Sequence, residues 1–83
     1  MAKLKPFKKI TPADIIKDEL DAYLWNEDDL VEILEMSREG IMQLLNNEIP
    51  IDIDLATKLS RIFRQSTQFW LNVSKEYWKK HKK

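Results

Sequence analysis

Apolar positions recur along the chain at helical spacing, and residues that start or stop helices separate the runs. Ile16, Leu20, Tyr23 and Leu24 share one face of a helix predicted over 12–24. Thr11-Pro12-Ala13-Asp14 opens it with a cap residue, a proline in the first turn and an acid three residues after the cap. Asn26-Glu27-Asp28-Asp29 opens a second, shorter helix over 27–34, where three acids oppose the positive helix end and Leu30, Ile33 and Leu34 form the apolar stripe. Ser37 caps a third helix over 38–46, with Ile41, Leu44 and Leu45 on its inner face. Asn46-Asn47 suits its end, because Asn tolerates the left-handed conformation, and Pro50 forbids continuation. Asp52 caps a fourth helix that turns Leu55, Leu59, Ile62 and Phe63 inward, and Ser66 or Thr67 caps a fifth carrying Phe69, Trp70, Val73 and Tyr77. Residues 49–54 alternate apolar and polar, but Pro50 and the two acids make them a loop entering a helix. The predicted fold class is all-α, with about five helices around one core. That core is expected to contain Ile16, Leu20, Leu30, Leu34, Ile41, Leu45, Leu55, Leu59, Ile62 and Phe69.

Length leaves room for one core only: the chain has 83 residues. Without cysteine it has no disulfide and no thiolate zinc site, so packing must hold it together. No apolar run approaches the roughly 18 residues of a membrane span, and the basic start leads into no signal core; a cytoplasmic location is expected. The formal net charge of zero conceals an uneven distribution. Residues 1–10 carry four lysines, residues 11–54 two bases against thirteen acids, and residues 55–83 eight bases against Glu76. An acidic middle between basic ends attracts partners of opposite sign, a second copy included.

Two short helices joined tightly through Glu35, Met36 and Ser37 have the outline of a helix-turn-helix, whose second helix lies in the DNA major groove. Any small helical bundle offers the same adjacency without DNA binding. The residues themselves resemble a known family, the HigA-type or VapI-like antitoxins. Residues 11–20 resemble the family's opening helix and residues 29–34 its first motif helix. Ser37-Arg38, Ile41, Leu44-Leu45-Asn46 and Pro50-Ile51 resemble its recognition helix and following loop. Phe69-Trp70-Leu71-Asn72, with Ser66 before it and Tyr77 after it, resembles the family's last helix. The resemblance covers about residues 10–78. It implies a λ-repressor-like helical domain that dimerises, represses its own operon by binding operator DNA, and neutralises a toxin, typically an mRNA-cleaving endonuclease. The chain would then divide into a basic N-terminal arm at 1–10, the helix-turn-helix domain at 11–78 and a lysine-rich, fraying tail at 79–83.

This sequence departs from the family pattern in one consistent direction. Glu27 stands where the family usually has a phosphate-contacting glutamine, Glu35 where it has the turn glycine, and Glu39 and Gly40 where it has small hydroxylated residues. Gln43 and Glu48 stand where it is usually basic. From Glu27 to Glu48 there is one base, Arg38, against seven acids. Carboxylates beside phosphates repel, so weak and strongly salt-dependent binding is expected, helped by Lys8, Lys9, Lys58 or the C-terminal lysines. The candidate DNA contacts are Arg38, to a phosphate or a guanine edge, Gln43, to adenine, and Ser37 and Asn46, to the backbone. Ser37 is equally a helix cap, and Asn46 equally a helix end. The alternative reading is a protein-interaction module that keeps the fold and has lost specific DNA binding.

The aromatic C-terminal helix suits nucleic-acid stacking or packing. Phe69, Val73 and Tyr77 fall on one face and Leu71 and Trp78 elsewhere, so packing with a homodimer contact through Leu71 and Trp78, aided by Trp70, is expected. Asp28, Glu32 and Glu35 lie close to one stripe, which is a solvated face or a docking surface for a basic partner such as the toxin. Nothing suggests catalysis, a metal or a cofactor: His81 is the single histidine, and no nucleophile or phosphate-binding glycine loop accompanies it. Replacing Glu39 and Glu48 with Lys is expected to tighten DNA binding and steepen its salt dependence, by nearly one unit of log–log slope for each new phosphate contact. Unchanged affinity and slope would place both residues away from the duplex.

Overall fold

The computed structural model describes residues 11–81, so the basic arm at 1–10 with Lys8 and Lys9, and the end of the lysine-rich tail at 82–83, lie outside the described residues. Five helices follow in order: α1 Pro12–Tyr23, α2 Glu27–Leu34, α3 Arg38–Leu45, α4 Ile53–Ile62 and α5 Thr67–His81, with no strand among the described residues. The caps are those that side-chain chemistry dictates. Thr11 Oγ1 accepts from Asp14 N at 3.1 Å while Asp14 Oδ2 accepts from Thr11 N, and Asn26 and Asp29 make the same reciprocal pair. Ser37 Oγ accepts from Gly40 N, Asp52 Oδ1 from Leu55 N and Ser66 Oγ from Phe69 N. Each capped start is worth about 1 kcal/mol, which matters for helices only eight residues long.

The helix ends follow one design. Leu24, Glu35 and Asn47 take left-handed backbone angles, with φ of 60°, 56° and 58°. Beyond each, an N–H reaches back five residues: Trp25 N to Leu20 O, Met36 N to Val31 O, and Glu48 N to Gln43 O. These are Schellman-type endings, which satisfy carbonyls that the helix leaves unpaired. Only Asn47 is a residue type that favours the conformation, and its Oδ1 also accepts from Ala13 N at 3.0 Å, fastening the end of α3 to the start of α1. Leu24 was expected on the inner face of α1 but is 90% exposed, because the left-handed turn swings it out of the helical stripe.

Helices α1, α2, α4 and α5 pack so that α3 lies against α1 and α2, while α5 lies against α4 and α1. Ile16, Leu20, Leu30, Leu34, Ile41, Leu45, Leu55 and Leu59 are buried as the periodicity predicts; Ile62 and Phe69 are only half-buried against that core. For Phe69 the difference lies in the rotation of α5. Trp70 and Ser74, four residues apart, are its innermost positions, in place of Phe69, Val73 and Tyr77. Trp70 is fully buried and meets Phe63, which stacks on Tyr23, so an aromatic column joins the ends of α1 and α4 to the start of α5. Ser74 Oγ accepts from the buried Ile51 N at 2.9 Å and so fixes the loop before α4. The helix α5 continues through Lys79 and Lys80 to His81, where a fraying tail was expected; lysines near a helix C-terminus favour its negative end.

Glycine relieves a left-handed residue of its Cβ clash at some cost in unfolded-chain entropy. Leu24→Gly and Glu35→Gly are each expected to stabilise the domain by about 0.5–1 kcal/mol, raising the melting temperature by a few degrees. Asn47→Gly should lower it instead, since the bond to Ala13 is lost. A melting series in which all three shift together would contradict this account of the turns.

Candidate nucleic-acid interface

The α2–α3 unit is built by burying one side of each helix. Leu30 and Leu34 of α2 and Ile41, Leu44 and Leu45 of α3 are the inner residues, and only three residues, Glu35, Met36 and Ser37, lie between the helices. Lys58 Nζ donates to Leu34 O at 3.0 Å, so α4 ties down the carbonyl end of α2. That bond engages the lysine that was offered above as a phosphate contact.

With its inner side buried, α3 presents Arg38, Glu39, Met42 and Asn46 to solvent and Gln43 at the margin. The structure thus brings the four predicted contacts, Ser37, Arg38, Gln43 and Asn46, onto the outer face and ends of one helix. Their individual states differ. Ser37 is the cap and accepts from Gly40 N, which leaves its hydroxyl proton free to donate. Arg38 is exposed and ion-paired with Asp28 through Nη2 and Oδ1. Gln43 is half-buried and Asn46 exposed, and neither side chain has a hydrogen bond among the described residues. An added Cβ at Gly40 would stand 3.2 Å from Met36 Cε, the end of a flexible side chain, and 3.3 Å from the capping Ser37 Oγ, so these neighbours would have to give by a few tenths of an ångström.

Sequence reasoning did not single out Met42, which is 40% exposed on this face and offers an apolar contact of the kind that meets a thymine methyl. An apolar residue one step past the inner Ile41 was its only signal. Nor did it foresee the Asp28–Arg38 pair. The carboxylates of Glu27, Glu32, Glu35, Glu39 and Glu48 are all exposed around the unit. Elsewhere, Arg61, Arg64, Lys75, Lys79 and Lys80 are exposed on α4, α5 and the turn between them, with no hydrogen bond or ion pair among the described residues.

On the C-terminal helix the expected dimer residues separate. Trp70 lies wholly inside its own chain's core and has no surface left for a partner, which corrects its assignment to an interface. Leu71 is half-buried and packs partly on that core, while Trp78 is half-buried with its ring edge-on to Tyr77 at 5.4 Å. No group of three or more His, Cys, Asp or Glu able to hold a metal ion occurs among the described residues. No helix there is long and apolar enough to cross a membrane.

Comparison with known proteins places this geometry in context. No protein-family profile matches the sequence. The solved structure of Pseudomonas aeruginosa antitoxin HigA with the higBA promoter aligns with a TM-score of 0.74 and 31% identity, covering 84% of this chain and 77% of that one. The chain belongs to the HigA family of helix-turn-helix antitoxins. A HigA-family addiction-module antidote protein from Coxiella burnetii aligns at a TM-score of 0.75 with 26% identity, over 86% of this chain and 78% of that one. An antidote protein of a plasmid maintenance system from Nostoc punctiforme aligns equally well, with 28% identity over 88% and 82% of the two chains. Among curated sequences, an HTH-type transcriptional regulator of Haemophilus influenzae is 30% identical and that of Escherichia coli named YbaQ 31%, each over 80% of this chain. The chain spans 63% and 59% of the length of these two relatives.

Proposed function

We propose that this HigA-family chain is the antitoxin of a two-gene module: it binds operator DNA through α3, represses its own operon and neutralises a toxin, of the RNase type, encoded beside it. The observation that carries the reading is the likeness to HigA solved with its promoter, over most of both chains. The exposed face of α3 supports it, because Arg38, Met42, Gln43 and Asn46 supply the donor, apolar and amide groups that base edges and phosphates accept. Binding, repression and neutralisation are non-enzymatic roles, and they belong in the cytoplasm, where operator and messenger are found.

The acidic motif favours a second reading, a protein-interaction module without specific DNA binding. Exposed carboxylates on α2 and α3 surround a single arginine that Asp28 already engages. The same surface suits the toxin-binding half of the first reading, since an RNA-cutting enzyme carries positive surface for its substrate. One titration separates the two. At about 150 mM salt the native protein alone should bind DNA from upstream of its own gene with a Kd on the order of 10⁻⁶ M, ahead of a random duplex of equal length. Arg38→Ala should erase the difference between the duplexes. Equal affinity of the native protein for both duplexes would leave the interaction module standing.

Homodimerisation is part of the proposal, through the apolar surface of Leu71 and Trp78 that core packing leaves uncovered on α5. Glu at both positions should shift sedimentation toward monomer while circular dichroism stays helical. A dimer that survives the double substitution would place the contact on another face.

A further inference from the structure

The Asp28–Arg38 ion pair joins the first turn of α2 to the first residue of α3, ten residues apart in sequence. Neither side chain is held by anything else among the described residues. Asp28 takes no part in the capping box of α2, which Asn26 and Asp29 complete on their own. The side chains remain 66% and 61% exposed, so the pair stands at the surface and adds little to stability. Its placement gives it another use. Arg38 begins the helix of the unit whose N-terminal residues reach base edges, and its guanidinium is a rigid fork with donors on more than one edge. Asp28 holds one Nη2 donor, and the remaining donors face no acceptor among the described residues.

We propose that Asp28 is a positioning residue for DNA readout: it fixes the Arg38 guanidinium so that its free edge meets the O6 and N7 acceptors of a guanine. The inference rests on the reading that α3 meets operator DNA. Two effects of opposite sign follow from one carboxylate. Fixing a long side chain before binding reduces the ordering cost at the matched base. Its charge meanwhile offsets the attraction of Arg38 for any phosphate, whatever the sequence. Asp28 therefore raises the preference for the operator more than it raises affinity. In a motif with a single arginine, such a device spends the available positive charge on discrimination.

The test measures binding of native protein, Asp28→Ala, Asp28→Asn, Arg38→Ala and the Asp28→Ala/Arg38→Ala double variant to upstream DNA and to a random duplex, over a range of salt. The order parameter of the Arg38 Nε–H bond is measured in the free native and Asp28→Ala proteins. Asp28→Ala is expected to lower the ratio of upstream to random affinity by about two- to tenfold, with random-duplex affinity unchanged or tighter. Asp28→Asn, which keeps an acceptor, should retain part of the ratio. In the double variant the loss should be no larger than in Arg38→Ala alone, and the Arg38 Nε–H bond should become more mobile without Asp28. Tightening of both duplexes by the same factor, with a steeper salt dependence and an unchanged ratio, would mean that Asp28 only neutralises Arg38 and would overturn the inference. So would an Arg38 side chain equally mobile with and without Asp28. A native ratio of one is a different result: it removes specific DNA binding itself, and the inference falls with it.

Discussion

The turn at Glu35 is the constraint on which the rest depends. One left-handed residue ends α2, the Met36 N–H returns to Val31, and Ser37 already caps α3. That abrupt reversal puts Leu30 and Leu34 on the same core as Ile41 and Leu45. It also leaves the outer side of α3 bare and sets its first residue beside the first turn of α2. Lys58 closes the arrangement from α4 by taking the Leu34 carbonyl. The core of a domain this short is small, so the cap and end hydrogen bonds, each worth about 0.5–2 kcal/mol, are a large fraction of a net stability of roughly 5–15 kcal/mol.

The first four helices were legible because their signals are local. Caps at Thr11, Asn26, Ser37 and Asp52 act within three residues, and aliphatic spacing names one face of each helix. The fifth helix resisted because Phe69, Trp70, Leu71, Val73, Tyr77 and Trp78 spread apolar surface around it, so periodicity selects no single face. Packing decided in favour of Trp70, which fills the space beside Phe63, and Ser74, which satisfies a buried N–H that no apolar residue could. Leu24 was misplaced for a related reason. Leucine carries no signature of a left-handed turn, and it looks like the next member of a helical stripe.

The placement of the candidate residues was legible in the sequence, and their electrostatic surroundings were not. Ser37, Arg38, Gln43 and Asn46 follow from the spacing of one helix, and the structure places all four around its outer face or ends. The engagement of Arg38 by Asp28 and of Lys58 by Leu34 are tertiary facts, spanning ten and twenty-four residues, which no local pattern announces. They sharpen the contrast already visible in composition. The surface around α3 is acidic, its one arginine is paired, and among the described residues the unpaired bases lie mostly on α4, α5 and the turn between them, with Lys17 on α1. If α3 meets DNA as proposed, binding by a protein arranged in this way would depend on geometry at a few groups of that helix more than on bulk attraction to phosphate.

The most direct measurement is the map of amide chemical-shift changes when the isotope-labelled protein is titrated with DNA from upstream of its gene. The account predicts that the largest changes fall on residues 37–46 and on Asp28, with the outer face of α5 little affected. Changes concentrated on Arg61, Arg64 and the lysines of α5, with α3 unmoved, would contradict it by showing that DNA meets the basic side of the molecule.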